Sequence, residues 1–141
     1  MDAKLIRDHI AICELKARYC RLLDTAQWDE WAALFTEDLV LDTSEAGGPP
    51  PVMGRTAAVA MVRQTLEGAS TVHQVHMPEI TISGDCADGI WAMQDRLIWP
   101  GGASLTGYGH YAEHYIRRDG TWKIARSKLT RLIVDFTPPS Q

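Results

Sequence analysis

Two histidines, His73 and His76, stand three residues apart in the stretch STVHQVHMPEITISGD, residues 70 to 85, which otherwise reads as a β-strand running to a Gly84-Asp85 turn. An imidazole is well suited to moving a proton near neutral pH, provided a carboxylate orients it. Two aspartates occupy places where the pattern calls for an apolar residue. Asp24 follows Cys20 by one step along the apolar seam of an N-terminal helix. It stands at the negative end of the helix macrodipole, where a carboxylate gains from a histidine partner; it could equally open a solvated turn. Asp95 sits in the row Trp91, Met93, Asp95, Leu97 and Trp99, which shares one strand face by parity. A carboxylate is costly there without a base or hydroxyl to meet it, unless the face borders a wet cavity. A hydrogen-bonded structural Asp fits that position as well as a catalytic one.

The elements that must carry these groups follow from periodicity. Ile6, Ile10, Cys13, Ala17 and Cys20, with Ile12, Leu15, Tyr19 and Leu22 beside them, predict an amphipathic helix over about 3–24. Tyr19 lies roughly 140° around that helix from Asp24, so the two can border one pocket only over the helix end. WDEWAALF at 28–35 predicts a second, short helix, LVLD at 39–42 a strand, and TAAVAMVRQTLEG at 56–68 a third helix ending at a glycine. The Gly- and Pro-rich loop between strand and third helix, 44–54, is a candidate lid. From residue 71 the period changes to two, predicting strands at about 71–83, 87–99, 104–117 and 121–135 in an antiparallel meander.

A two-residue Asp119-Gly120 hairpin would place Arg118 opposite Thr121, His110 opposite Leu129 and Tyr108 opposite Arg131. One face would then carry Tyr108, His110, His114, Ser127 and Arg131, the polar mix of a ligand cavity or of a wet subunit interface. The other would carry Tyr111, Tyr115, Trp122 and a cross-strand ion pair of Glu113 with Arg126. Three helices and a curled sheet make an α+β domain with a cavity between its layers.

The 141 residues match one domain spanning 1–141. Hydrophobic residues are 45%, charged residues 23% and the net charge −4, which speaks against a polyanion binder, so nucleic acid is not an expected partner. No run reaches the roughly 18 apolar residues of a membrane span, and the N-terminus lacks a signal peptide's pattern, so neither a membrane nor export is expected and the expected location is cytoplasmic. Cys13, Cys20 and Cys86 match no zinc spacing; reduced thiols are expected, with no disulfide, metal or cofactor.

The run RYCRLLDTAQWDEWAALFTED, then Gly54-Arg55, His73 with PEITISGD, and GYGHYAEHYIRRDGTWKI resemble the SnoaL-like branch of the NTF2-like superfamily over nearly the whole chain. The resemblance implies a cone-shaped α+β barrel with three N-terminal helices packed on a curved, mainly antiparallel sheet around a deep pocket. It also implies a cofactor-independent lyase, of the dehydratase type, or an isomerase acting on a hydrophobic cyclic small molecule. In the superfamily's elimination enzymes an Asp at the end of the first helix holds a His of the first long strand, which takes the proton; Asp24 and His73 match these positions. Tyr19 falls where those enzymes carry a substrate-contacting Tyr or Lys. Arg131 resembles a pocket-facing Arg, and Asp95, Tyr108 and His110 are further candidate substrate contacts. His76, at odd separation from His73, belongs on the opposite strand face. The rival is a non-catalytic ligand binder or structural subunit of the same fold. Five tryptophans, a long curved sheet and the tail LIVDFTPP predict a homo-oligomer, a trimer or a dimer.

Overall fold

The computed structural model describes residues 2–140. Helix α1 spans Ala3–Asp24, capped by the Asp2 carboxylate accepting the Leu5 N–H at 2.9 Å. Its buried side chains are Asp8, Ile12, Leu15, Lys16, Tyr19, Cys20, Leu22 and Leu23. The predicted seam is thus out of phase: Ile6 and Ile10 are 46% and 51% exposed and Ala17 faces solvent. The buried stripe contains Asp8 and Lys16, which apolar periodicity passes over because both are charged.

Helix α2 covers only Trp28–Ala32, because Phe35 already opens strand β1, Phe35–Asp42. The 44–54 segment forms a single 3-10 turn at Ser44–Ala46 and a short strand β2, Val52–Met53, before α3, Arg55–Thr65. The expected first long strand is two strands, β3 at Ser70–Val75 and β4 at Glu79–Ser83. Pro78, which has no N–H to donate, lies in the gap between them. Both pair with β5, Cys86–Ile98. Strands β6, Ser104–Arg118, and β7, Thr121–Thr137, complete a seven-stranded sheet in the order β2-β1-β7-β6-β5-β3. It is not a pure meander, since β1 runs parallel to β7.

Two irregularities in β7 correct the expected register. The hairpin begins as predicted, with Arg118 opposite Thr121 and Tyr115 opposite Ile124, but Ala125 is then extra, so His114 faces Arg126 and Glu113 faces Ser127. Leu132 is extra further on, so Arg131 pairs with Gly109 and Tyr108 with Ile133. Each bulge sharpens the twist, and the first exchanges the faces of the β7 residues beyond it. Ser127 and Arg131 therefore join Tyr111, Glu113 and Tyr115 on the concave face, while Tyr108 and His110 point to the outer one. The predicted Glu113–Arg126 pair does not form.

Helices α1 and α3 cover the concave face, enclosing Trp31, Phe35, Leu39, Trp91, Tyr111, Tyr115 and Ile124 among others. At one end of this core Asp8 accepts from Arg117 Nη1 at 2.6 Å, Lys4 Nζ at 3.1 Å and Trp122 Nε1 at 3.2 Å. Cys13, Cys20 and Cys86 are free thiols.

Candidate active site

Asp24 ends α1 where that helix packs on β3. Its Oδ1 accepts the Thr71 hydroxyl at 3.0 Å and lies 2.6 Å from His73 Nδ1; its Oδ2 accepts the His73 backbone N–H at 2.8 Å. Thr71 and His73 share a strand face by parity, so one carboxylate meets both side chains and the intervening backbone. The backbone N–H is a fixed donor and the Thr71 hydroxyl turns its proton to the same group, so the carboxylate acts as acceptor and His73 Nδ1 is assigned the proton. His73 Nε2 is left with its lone pair on the opposite edge of the ring. The imidazole is 7% exposed and the Asp24 side chain 20%. His76 is exposed and lies one residue past the end of β3.

Opposite His73 in the β3–β5 register stands Asp95, which is buried. Its Oδ2 is 3.9 Å from His73 Nε2, too far for a hydrogen bond. Both its oxygens are taken by Arg131, whose Nη1 and Nη2 donate at 2.8 Å each. This fork raises the guanidinium further above its ordinary value, and it leaves Arg131 Nε buried without a partner. The arrangement depends on Gly107, which lies between the two strands on β6: a Cβ there would fall 1.7 Å from Arg131 Nη1 and 2.6 Å from Asp95 Oδ1.

These groups border a cavity of about 240 Å³ between the helices and the concave sheet. Leu23, Met61, Leu66, Leu97 and Leu129 supply apolar walls, and Tyr19, His73, Asp95, Tyr111, Ser127 and Arg131 the polar ones. Ala46, Gly47, Gly48 and Pro49 bring the 44–54 segment to the cavity's edge. Burial pushes the Tyr19 and Tyr111 phenols far up, helped at Tyr19 by the Glu113 charge, so both stay neutral hydrogen-bond donors. Among the described residues, no group of three His, Cys, Asp or Glu side chains is arranged to hold a metal ion, and no helix is long and apolar enough to cross a membrane.

Of the candidates named from sequence, Asp24, His73, Tyr19, Asp95 and Arg131 are brought together; Tyr108 and His110 lie on the outer sheet face, away from the cavity, because they alternate with Tyr111 along β6, and the first β7 bulge carries Arg131 off their face. Sequence reasoning missed the buried cluster behind Tyr19, Tyr111 and Ser127. There Lys16 Nζ donates to Glu113 Oε2 at 2.9 Å with both side chains fully buried, and sits 3.6 Å from the centroids of the Tyr19 and Tyr111 rings. Ser127 Oγ donates to the same carboxylate oxygen at 2.6 Å, and Tyr115 Oη to the other at 2.7 Å. Burial lowers the Lys16 ammonium, opposed by the Glu113 charge. The signal for Glu113 was available: it interrupts the apolar row Tyr111, Tyr115 just as Asp95 interrupts its own.

The fold recurs in solved structures. A Kribbella flavida protein matches with a TM-score of 0.83 at 22% identity, covering 95% of each chain. A candidate scytalone dehydratase from Novosphingobium aromaticivorans matches at 0.86 and 22%, covering 96% of this chain and 91% of that one. A hexachlorocyclohexane dehydrochlorinase, LinA type 2, matches at 0.85 and 20%, covering 98% and 94%. At these identities the likeness is one of fold. The sequence itself matches the model of the SnoaL-like domain over residues 5–128, so the chain belongs to the SnoaL-like family.

Proposed function

We propose that the protein is a cofactor-independent lyase or isomerase that moves a proton on a hydrophobic cyclic small molecule, with His73 as base. The observation that carries this reading is the Asp24–His73 contact of 2.6 Å at the wall of an apolar cavity. Asp24 fixes the tautomer, so the His73 Nε2 lone pair is free to take a proton, and the carboxylate stabilises the imidazolium that results. The acidic protons of such substrates are those next to a carbonyl. Tyr19, a neutral donor, and Arg131 Nε, unpaired, are suited to the oxygen on which enolate charge develops. In an elimination the proton returns from His73 to the departing hydroxide, which leaves as water; in an isomerisation it returns to a second carbon. The naming of related folds as a dehydrochlorinase and a candidate scytalone dehydratase agrees with eliminations of this kind.

The test is a screen of cyclic β-hydroxy ketones and enones for gain or loss of conjugated absorbance, with His73→Ala beside the parent. A substrate whose kcat falls by about 10² to 10⁴ in His73→Ala, with binding nearly unchanged, supports the base assignment. Full turnover in that variant would overturn it.

We also infer a homo-oligomer, a trimer or a dimer, from the apolar outer sheet face, where Val72, Ile90, Ile98, Tyr108 and Ile133 are 38% to 57% exposed. Light scattering at micromolar concentration should return a multiple of the 15.7 kDa chain mass; the chain mass itself would refute it.

A further inference from the structure

The polarity of the cavity floor is set by charges that never reach it. Glu113 is fully buried and carries three donors: Lys16, Tyr115 and Ser127. The Tyr115 hydroxyl accepts from Trp91 Nε1 at 2.8 Å, which commits its own proton to Glu113. With a lysine Nζ 2.9 Å away and two hydroxyls donating, Glu113 acts as an acceptor to all three partners. Ser127 has one hydroxyl proton, and it is spent on this carboxylate at 2.6 Å. Turning that proton into the cavity would strip a buried charge of a donor, the expensive direction for a hydrogen bond to be lost. Ser127 is nevertheless a cavity-lining residue. What it has left to offer a ligand is lone pairs.

We propose that Ser127 is a specificity-determining residue that accepts a hydrogen bond from a ligand hydroxyl, its acceptor character imposed by the buried Lys16–Glu113 pair. The proposal rests on reading this cavity as the substrate site. Among the other polar groups of the cavity wall, the Tyr19 hydroxyl and Arg131 Nε are donors that receive a ligand oxygen without a proton, and His73 Nε2 is a second acceptor, so the share of Ser127 is the difference between the parent and Ser127→Ala. The favoured ligand is a flat, largely apolar ring system carrying at least one free hydroxyl. Methylating that hydroxyl removes the proton Ser127 needs.

The matched probes are 2-naphthol and 2-methoxynaphthalene, titrated calorimetrically into the full chain. The parent should bind the naphthol more tightly than the ether by on the order of tenfold. In Ser127→Ala that ratio should fall to within about threefold, the remainder being the bulk of the methyl group. Lys16→Met combined with Glu113→Gln replaces the ion pair by neutral groups, frees the Ser127 proton, and should also shrink the ratio; it supplies the test if Ser127→Ala does not fold. Equal binding of the two probes by the parent, no binding of 2-naphthol at its solubility limit, or a ratio unchanged in either variant would overturn the proposal. Because binding needs no proton transfer, the ratio is read without any turnover. Failure of the base assignment shows in turnover and failure of this proposal in the ratio.

Discussion

Two carboxylates behind the cavity wall, Glu113 and Asp24, each meet a basic side chain from a distant element, and the two are built for opposite purposes. Glu113 and Lys16 have no exposed side-chain surface, and both oxygens of Glu113 accept from donors, three in all. Asp24 keeps a fifth of its side chain exposed and holds a histidine whose second nitrogen has no hydrogen-bond partner. The first assembly is closed: removing one member strands the other in a medium that cannot solvate it. The second is open, with one proton site occupied and one waiting. A buried ion pair fixes the shape and polarity of a floor, whereas a half-satisfied histidine can do chemistry at a wall. The Asp95–Arg131 pair lies between these extremes, with the carboxylate satisfied and one guanidinium N–H left over.

The largest expected effect breaks the closed assembly. Lys16→Met should lower the unfolding free energy by about 3–5 kcal/mol, and adding Glu113→Gln should recover most of that loss, because the cost is that of a stranded charge. Urea denaturation of the two variants checks this; equal losses would mean the pair is not a coupled unit. Gly107→Ala acts on the intermediate assembly. Its methyl would occupy the place of Arg131 Nη1, so it should cost about 1–3 kcal/mol and part Arg131 from Asp95, readable as lost density for the fork in a crystal structure of the variant.

The smallest effect concerns Asp8, a fourth carboxylate, outside the cavity. Burial pushes its carboxyl up, but donation by Arg117, Trp122 and Lys4 outweighs this and holds it below 3.8. The folded state therefore releases this proton at lower pH than the unfolded chain does. Its contribution is present in full above the unfolded value and is lost as the pH falls through the folded one. Asp8→Asn should flatten the acid limb of the stability curve between about pH 5 and 2 and leave the curve's shape above pH 6 unchanged. An acid limb as steep as the parent's would remove Asp8 from this role.

Residues that announce themselves by violating a pattern were legible in the sequence, and residues whose neighbours depend on a bulge were not. Asp95 was visible because a carboxylate broke an apolar row, and Asp24 and His73 through family resemblance joined to strand parity. The α1 boundaries follow from its cap and its length of apolar repeat. Its rotational phase was misjudged because Lys16 and Asp8 were assumed to face water, and their partners Glu113 and Arg117 lie on β6, about a hundred residues on. Tyr108 and His110 were assigned to the cavity by counting from Asp119-Gly120 without interruption. One inserted residue at Ala125 moves Ser127 and Arg131 off the Tyr108 and His110 face, a second at Leu132 restores the phase, and nothing local in ARSKL marks the first insertion.

The central claim is that Asp24 holds His73 in the tautomer that leaves Nε2 free, and nitrogen NMR of the imidazole reads this without any substrate. In the ¹⁵N-labelled protein at mildly alkaline pH, His73 should show a protonated Nδ1, its proton shifted far downfield by the contact with Asp24, and an unprotonated Nε2. Asp24→Asn should lose the downfield proton and mix the tautomers. A His73 that carries its proton on Nε2, or whose spectrum is indifferent to Asp24→Asn, would contradict the account.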